Sequence, residues 1–182
     1  MNAHDRDTVM SRKATGGTDN WRTPEAVLNL VRELTDGTIG LDPCTDAENP
    51  TKASRFYCPP QDGLRELWRG FGMVFVNPPY SDNTEWLNCC VRHFLVPDDS
   101  GDQCIALVPA RTDTRWWQST VFTARLVCFW KGRLRFEDPE SPVANSAPFP
   151  SALLYWGSRP DDFANIFGPH GWIVRTERTL KP

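Results

Sequence analysis

Three kinds of feature are missing from this chain of 182 residues, and each absence argues against a class of protein. No apolar run approaches the roughly 20 residues that a membrane-spanning helix needs, so no membrane contact is predicted. The six cysteines form no Cys-X-X-Cys pair and the three histidines are scattered, so the spacing of a zinc site is absent and no metal is expected. No internal repeat is visible, which argues against a repeat architecture.

The first twenty residues lack the apolar core of a secretory signal peptide. They are polar and contain glycine, which predicts a flexible segment over 1–20 followed by a single domain over 21–182. A cytoplasmic protein is therefore expected, and a disulfide framework is not. Cys104 and Cys128 lie inside apolar runs, where buried reduced thiols are expected.

The composition that is present is ordinary for a globular domain, with 40% hydrophobic and 24% charged residues. Short apolar runs such as MVFVN (73–77) and CIALVP (104–109) alternate with helical patterns, and their continuous apolar character favours strands buried on both faces. The pattern predicts an α/β fold with a mostly parallel central sheet flanked by helices. Functional side chains are then expected where strands end, at Asp42, Asn77 and Pro109.

The segment TPEAVLNLVRELT (23–35) has the pattern of an amphipathic helix. Thr23 is predicted to be its N-cap, because a threonine hydroxyl accepts a hydrogen bond from the first turn. Pro24 suits the first helical position, where its missing N–H costs no hydrogen bond.

The sequence NPPY (77–80) is more than a turn at the end of a strand. Asn77 follows four apolar residues, so its amide is expected to emerge at the strand end, and the two prolines hold the next residues in a stiff geometry. A carboxamide oxygen and a neighbouring carbonyl are two acceptors for one planar amine, and Tyr80 offers a ring for stacking. These groups match the needs of a site that holds a flipped base by its exocyclic amine.

The net charge of −3 argues weakly against a nucleic-acid partner, but the charge is unevenly distributed. Residues 111–135 contain six basic residues and one acid, with Trp116, Trp117 and Trp130 interleaved. A charge run is most often a solvated face, and the two neighbouring tryptophans could equally be partly core. The interleaved aromatic residues favour nucleic-acid binding.

Six motifs that occur in order over about residues 20–157 resemble phage-type DNA N6-adenine methyltransferases of the Dam-like family. The motifs are WRTP (21–24), LDPCTDAEN (41–49), DGL…W (62–68), NPPYS (77–81), GRLRF (132–136) and NSAPFPS (145–151). The resemblance implies a Rossmann-like class I methyltransferase domain that uses S-adenosylmethionine. It also implies DNA as the partner, a monomer or homodimer, and the host-cell cytoplasm as the location if a phage encodes the chain.

The resemblance assigns a catalytic role to the NPPY segment. It implies that Asn77 binds the target amine through its side chain and Pro78 through its carbonyl, with Pro79 in the same motif and Tyr80 stacked on the base. Direct transfer to the flipped base would need no covalent enzyme intermediate.

On the cofactor side, the resemblance places Asp42 near the methionine part of the cofactor and lets the segment around Thr23 close over it. The implied cofactor-binding residues are Trp21, Thr23, Pro24, Asp42, Pro43, Cys44 and Asp62. Asp62 could contact either the adenosine of the cofactor or the target base. The ribose is left with three candidate acids, Asp46, Glu48 and Asp62.

For the DNA backbone, the predicted phosphate contacts are the basic residues Arg111, Arg115, Lys131, Arg133 and Arg135.

The sequence departs from the pattern of methyltransferases in two places. The segment DPCTDAEN (42–49) has no glycine, although many methyltransferases place a glycine-rich loop there, and only a loop or hairpin over 131–150 could protrude as a recognition element.

Several alternatives stay open at this point. The same amine chemistry would serve cytosine N4, adenine in RNA or a protein glutamine. A relative that binds DNA but has lost catalysis is a further possibility from a different class.

Overall fold

The computed structural model describes residues 21–96, 100–137 and 145–176. The predicted flexible segment 1–20 and the tip of the predicted protrusion, residues 138–144, lie outside these ranges. In the described part of the chain, no helix is both long enough and apolar enough to cross a membrane.

Within the described residues, seven strands form one central sheet and two more form a small hairpin. The bounds of the sheet strands are β1 Leu41–Asp42, β2 Arg55–Phe56, β3 Met73–Val76, β4 Gln103–Pro109, β5 Leu126–Trp130, β8 Ser151–Trp156 and β9 Gly171–Arg175. The hairpin strands are β6 Arg135–Phe136 and β7 Asn145–Ser146. The order across the sheet is β2-β1-β3-β4-β8-β5-β9.

The prediction of a mostly parallel sheet is wrong. Strands β2, β1, β3 and β4 are parallel, but β8 is antiparallel to both β4 and β5, and β9 is antiparallel to β5. The two longest pairings, β4 with β8 and β5 with β9, are antiparallel. Continuous apolar runs misled the prediction, because they report that helices cover both faces of a strand and not which way the strand runs.

Helices cover the sheet on both faces. Their bounds are α1 Glu25–Glu33, α2 Asn83–Phe94, α3 Arg115–Thr120 and α4 Pro160–Phe167. One core lies between the sheet and α1 with α4, and the other between the sheet and α2 with α3. Alternate residues of each strand enter opposite cores, for example Phe75 and Val76 of β3.

The start of α1 differs from the prediction. Pro24 is the N-cap and has an extended backbone conformation, and no side chain caps the helix. Thr23 is therefore not the N-cap, because the extended segment continues one residue further than a capping threonine would allow. The Thr23 hydroxyl is buried and makes no hydrogen bond with the described residues.

Cys104 and Cys128 are free and fully buried, which confirms the prediction for these two residues. The hairpin β6–β7 is anchored in the core by Phe136, a residue of β6 that is fully buried.

Candidate active site

Five strands of the central sheet run in the same direction, so their carboxyl ends share one edge. Asp42 ends β1, Asn77 follows β3, Pro109 ends β4 and Lys131 follows β5. The antiparallel β8 inserts between β4 and β5 but leaves β5 parallel to β4, which keeps Lys131 at the same edge. The prediction that functional residues gather at strand ends therefore has a geometric basis in this sheet.

A cavity of about 520 Å³ opens at this edge. Its volume lies in the range of small-molecule and cofactor sites. Of the residues predicted for the site, those that line the cavity are Trp21, Thr23, Asp42, Pro43, Cys44, Asp46, Asp62, Asn77 and Pro79. Pro24, Pro78 and Tyr80 lie beside it in the chain without lining it.

Asp42 places a buried carboxylate in the cavity wall. Its Oδ2 accepts a hydrogen bond of 2.8 Å from the Thr51 hydroxyl, and its Oδ1 accepts one of 3.1 Å from the Cys44 N–H. Burial nevertheless raises the pKa of Asp42 to about 6, against the effect of these hydrogen bonds. A cationic group of a ligand would stabilise the ionised form of this carboxylate.

Asn77 lies at the end of the cavity with one half of its carboxamide engaged. Its Nδ2 donates a hydrogen bond of 2.7 Å to the backbone carbonyl of Trp21. Its Oδ1 is buried and has no hydrogen-bond partner among the described residues. A buried acceptor without a partner is costly in a folded protein, so this oxygen is suited to an incoming donor such as an amine N–H.

Cys44 packs beside Asn77 and is not arranged as a nucleophile. Burial, and then the charge of Asp42, raise the pKa of the Cys44 thiol well above its ordinary value. The thiol is consequently neutral near pH 7, and a neutral thiol is a poor nucleophile.

Asp62 lies on the far wall and remains half-exposed. Its side chain caps the short 3-10 helix Gly63–Arg65 by accepting a hydrogen bond from the Leu64 N–H. Gly63 is required by a close approach, since a Cβ there would lie 1.9 Å from the Pro43 carbonyl oxygen. The geometry leaves both predicted contacts of Asp62, the cofactor adenosine and the target base, as hypotheses.

Tyr80 is held by two phenylalanines from the motifs GRLRF and NSAPFPS. Its ring packs edge to face with Phe149 at 4.9 Å and with Phe136 at 6.1 Å between centroids. The Arg111 guanidinium lies over the ring of Phe149, 5.3 Å from its centroid. Burial raises the pKa of Tyr80 above its ordinary value, so its hydroxyl stays protonated near neutral pH.

The predicted DNA-contacting residues are all exposed: Arg111, Arg115, Lys131, Arg133 and Arg135. Arg125, which belongs to the same basic stretch, precedes β5 and so lies at the opposite edge of the sheet, where it donates to the Gly157 carbonyl. The tryptophans of the stretch make contacts within the protein, and the partly buried Trp116 packs edge to face with Trp117. Trp117 is buried against Phe129, and Trp130 stacks on His170.

Arg22 is a residue of the site that could not be identified from the sequence. Its guanidinium bonds Asp46 at 2.9 Å and Glu48 at 2.6 Å, and its main chain pairs with Glu137 of the hairpin. Residues 21–24, called the strap below, thereby cross the edge of the sheet beside Asn77. No local pattern could have indicated Arg22, because its partners are far away in the sequence.

The fold and this edge define an α/β protein with a cofactor-sized cavity that ends at an Asn-Pro-Pro-Tyr segment. The model of the family DNA N-6-adenine-methyltransferase (Dam) matches residues 10–160, and the chain belongs to this family. Membership confirms the resemblance seen in the sequence and implies methylation of adenine N6 in DNA. No curated protein matches the chain.

Proposed function

We propose that the protein methylates the N6 amine of adenine in DNA with S-adenosylmethionine as the cofactor, and that the adenine is flipped out of the duplex into the site. The buried Oδ1 of Asn77 at the end of the cavity, which has no hydrogen-bond partner in the described part of the chain, carries the proposal. Family membership supports the choice of adenine in DNA over cytosine, RNA or protein glutamine. The domain is proposed to be related to the Rossmann-like class I methyltransferases, with a mixed sheet.

The cavity fits the proposed cofactor in its chemistry. Asp42 offers a buried carboxylate to the cationic end, and Trp21 provides an apolar wall. Thr23 lines the same space, and its buried hydroxyl has no hydrogen-bond partner among the residues that the structure describes. Asp46 is paired with Arg22 and Asp62 with Arg65, and Asp62, the more exposed of the two, is proposed to contact the ribose or adenine. The remaining proposed cofactor contacts are Pro24, Pro43 and Cys44. When bound, S-adenosylmethionine supplies an electrophilic methyl group.

The residues of the NPPY segment bind and orient the target amine. Asn77 Oδ1 and the Pro78 carbonyl accept its two N–H bonds, and Pro79 keeps the segment stiff. Two acceptors draw the nitrogen away from a planar geometry and stabilise the positive charge that develops on it. Tyr80 stacks on the base, and its contacts with Phe136 and Phe149 hold the ring before the base arrives.

The exposed basic residues Arg111, Arg115, Lys131, Arg133 and Arg135 are proposed to bind DNA phosphates around this site. Arg111 lies over the ring of Phe149, and Phe149 packs against Tyr80, the residue proposed to stack on the base. Phosphate contacts position the duplex and carry no sequence information of their own.

The test is methyl transfer from labelled S-adenosylmethionine to unmethylated duplex DNA, followed by mass spectrometry of the nucleosides. Asn77→Ala removes the acceptor and is expected to lower kcat by about 10²–10³-fold, the usual cost of losing one hydrogen bond to a developing charge. Asn88→Ala, on the exposed face of α2, is the matched control and is expected to be unchanged.

N6-methyladenine made by the wild-type protein and lost with Asn77→Ala would support the proposal. N4-methylcytosine as the product would overturn the choice of base. Cofactor binding without transfer to DNA would favour RNA or protein as substrate, or the catalytically inactive DNA-binding relative.

A further inference from the structure

The strap, residues 21–24, is fixed on two sides by a single residue. The Arg22 N–H donates to the Glu137 carbonyl at 2.9 Å, and the Glu137 N–H donates to the Arg22 carbonyl at 3.1 Å. The Arg22 guanidinium also bonds Asp46 and Glu48 in the loop after β1. Arg22 thus connects the strap to the hairpin through its main chain and to the cavity wall through its side chain.

This pairing determines where the carbonyl of Trp21 points. In an extended segment, successive backbone groups face opposite sides, so the groups of Arg22 face Glu137 and the carbonyl of Trp21 faces away from it. That carbonyl accepts the 2.7 Å hydrogen bond from Asn77 Nδ2.

A carbonyl oxygen accepts hydrogen bonds and cannot donate them. The Asn77 carboxamide must therefore present its NH2 group to Trp21, which leaves its oxygen for the other side. The opposite orientation would place two oxygens in contact and would turn the NH2 group toward the target amine, where a donor meets a donor. The strap selects the one orientation of Asn77 that suits an amine.

We infer that Arg22 is a positioning residue for the proposed reaction. Its guanidinium anchors the strap to the cavity wall and so steadies the main-chain pairing with Glu137. That pairing directs the Trp21 carbonyl at Asn77 and fixes the orientation of its carboxamide. The inference rests on the proposed function for its kinetic consequence. The orientation itself is a property of the free protein and can be measured without any reaction.

The first experiment measures proton exchange of the Asn77 side-chain amide by NMR, with the signal assigned through its loss in Asn77→Asp. Arg22→Ala is expected to speed this exchange by about 10- to 100-fold, the range that corresponds to losing a hydrogen bond to a charged group. Arg159→Ala is the matched control, because Arg159 also bonds a carboxylate and a carbonyl, those of Asp162 and Leu34, yet lies away from the strap. Exchange that is unchanged in Arg22→Ala would overturn the inference.

Arg22→Lys guards against an alanine variant that does not fold. Lysine keeps the charge but lacks the planar fork that bonds Asp46 and Glu48 together, so it should give an intermediate exchange rate. A rate equal to that of the wild-type protein in Arg22→Lys would contradict the need for both ion pairs.

The second experiment measures kcat with both substrates saturating and the Kd for S-adenosylmethionine separately, because Arg22 also lines the cavity. Arg22→Ala is expected to lower kcat by about 10- to 100-fold, as a misplaced catalytic group does. In the Asn77→Asp background the hydrogen bond from residue 77 to the Trp21 carbonyl is already lost, because a carboxylate has no N–H to donate, so the same change should have little further effect.

An equal loss of kcat in both backgrounds, or a change confined to cofactor affinity, would overturn the positioning role. If the wild-type protein transfers no methyl group to DNA, the proposed function fails while the exchange experiment still decides whether Arg22 orients Asn77.

Discussion

The central sheet has two sides that differ in strand direction and in charge. On the cavity side, β2, β1 and β3 are parallel, and the cavity at their ends is lined by Asp42, Asp46 and Asp62. On the basic side, β8, β5 and β9 are antiparallel to their neighbours, and Lys131, Arg133 and Arg135 follow β5. Asn77 and Tyr80 lie between the two sides.

The difference indicates a division of work along one edge. An acidic cavity attracts a cationic cofactor and repels a polyanion, whereas a basic rim attracts DNA. The proposed reaction needs both ligands within bonding distance of each other, which only the boundary between the two sides provides. The predictions below test whether the division is real.

The largest effect is expected for the aromatic residues of the basic side. Trp117 is buried in the core, so Trp117→Ala should lower the free energy of unfolding by about 3–5 kcal/mol. Trp172 is 72% exposed, and Trp172→Ala should change the free energy of unfolding by less than about 0.5 kcal/mol. Denaturant unfolding measures both. Equal stability of the two variants would contradict the assignment of Trp117 to the core.

Tyr80 at the boundary comes next. Tyr80→Ala removes the ring that is proposed to stack on the base. It should weaken binding of DNA in which the target base is flipped out or lies opposite an abasic site by about 10- to 100-fold, because stacking of one base on an aromatic ring contributes about 1–3 kcal/mol. Tyr80→Phe keeps the ring and should retain most of the affinity. Fluorescence of 2-aminopurine at the target position measures this, and equal behaviour of the two variants would exclude a stacking role.

Asp42 tests the cavity side. Its pKa of about 6 means that the carboxyl is protonated below that pH and ionised above it. Affinity for S-adenosylmethionine should therefore fall by about tenfold between pH 7 and pH 5, following the loss of the ionised form. Asp42→Asn should bind more weakly and show no such dependence. Titration calorimetry between pH 5 and pH 7 measures the affinity for the cofactor. An identical pH profile in the variant would contradict a contact between Asp42 and the cofactor.

The smallest effect is expected for single basic residues. Arg133→Ala and Arg135→Ala should each reduce the slope of log affinity against log salt by about one unit if each contacts a phosphate. Arg125→Ala is the control, because Arg125 belongs to the same stretch of sequence but lies at the opposite edge of the sheet. A slope that is unchanged in the first two variants, or equally reduced in the control, would contradict phosphate contacts by Arg133 and Arg135.

Much of the site could be predicted from the sequence because its residues stand at the ends of local patterns. Asp42 and Asn77 each follow an apolar run, and a buried strand can be recognised from its own residues. The direction of β8 could not be predicted, since it depends on how the chain returns between β4 and β5. The start of α1 was predicted wrongly because Pro24, and not Thr23, is the last extended residue before the helix.

Long-range contacts explain the remaining gaps. Phe136 and Phe149 belong to the motifs GRLRF and NSAPFPS, but their packing on Tyr80 depends on the hairpin. The spacing of these residues in the sequence does not indicate that packing. Arg22 carries no local signal because Asp46, Glu48 and Glu137 are its partners. The roles of the predicted cofactor and DNA residues remain predictions.

The position of β8 also has a consequence for synthesis of the protein. Strand β4 is buried along its whole length, and one of its edges pairs with β8. A chain emerging from the ribosome carries β4 with that edge unpaired until residues 110–156 have followed. Such an apolar edge can pair with other chains, so the nascent protein should be most prone to aggregation, and most dependent on chaperones, during this interval.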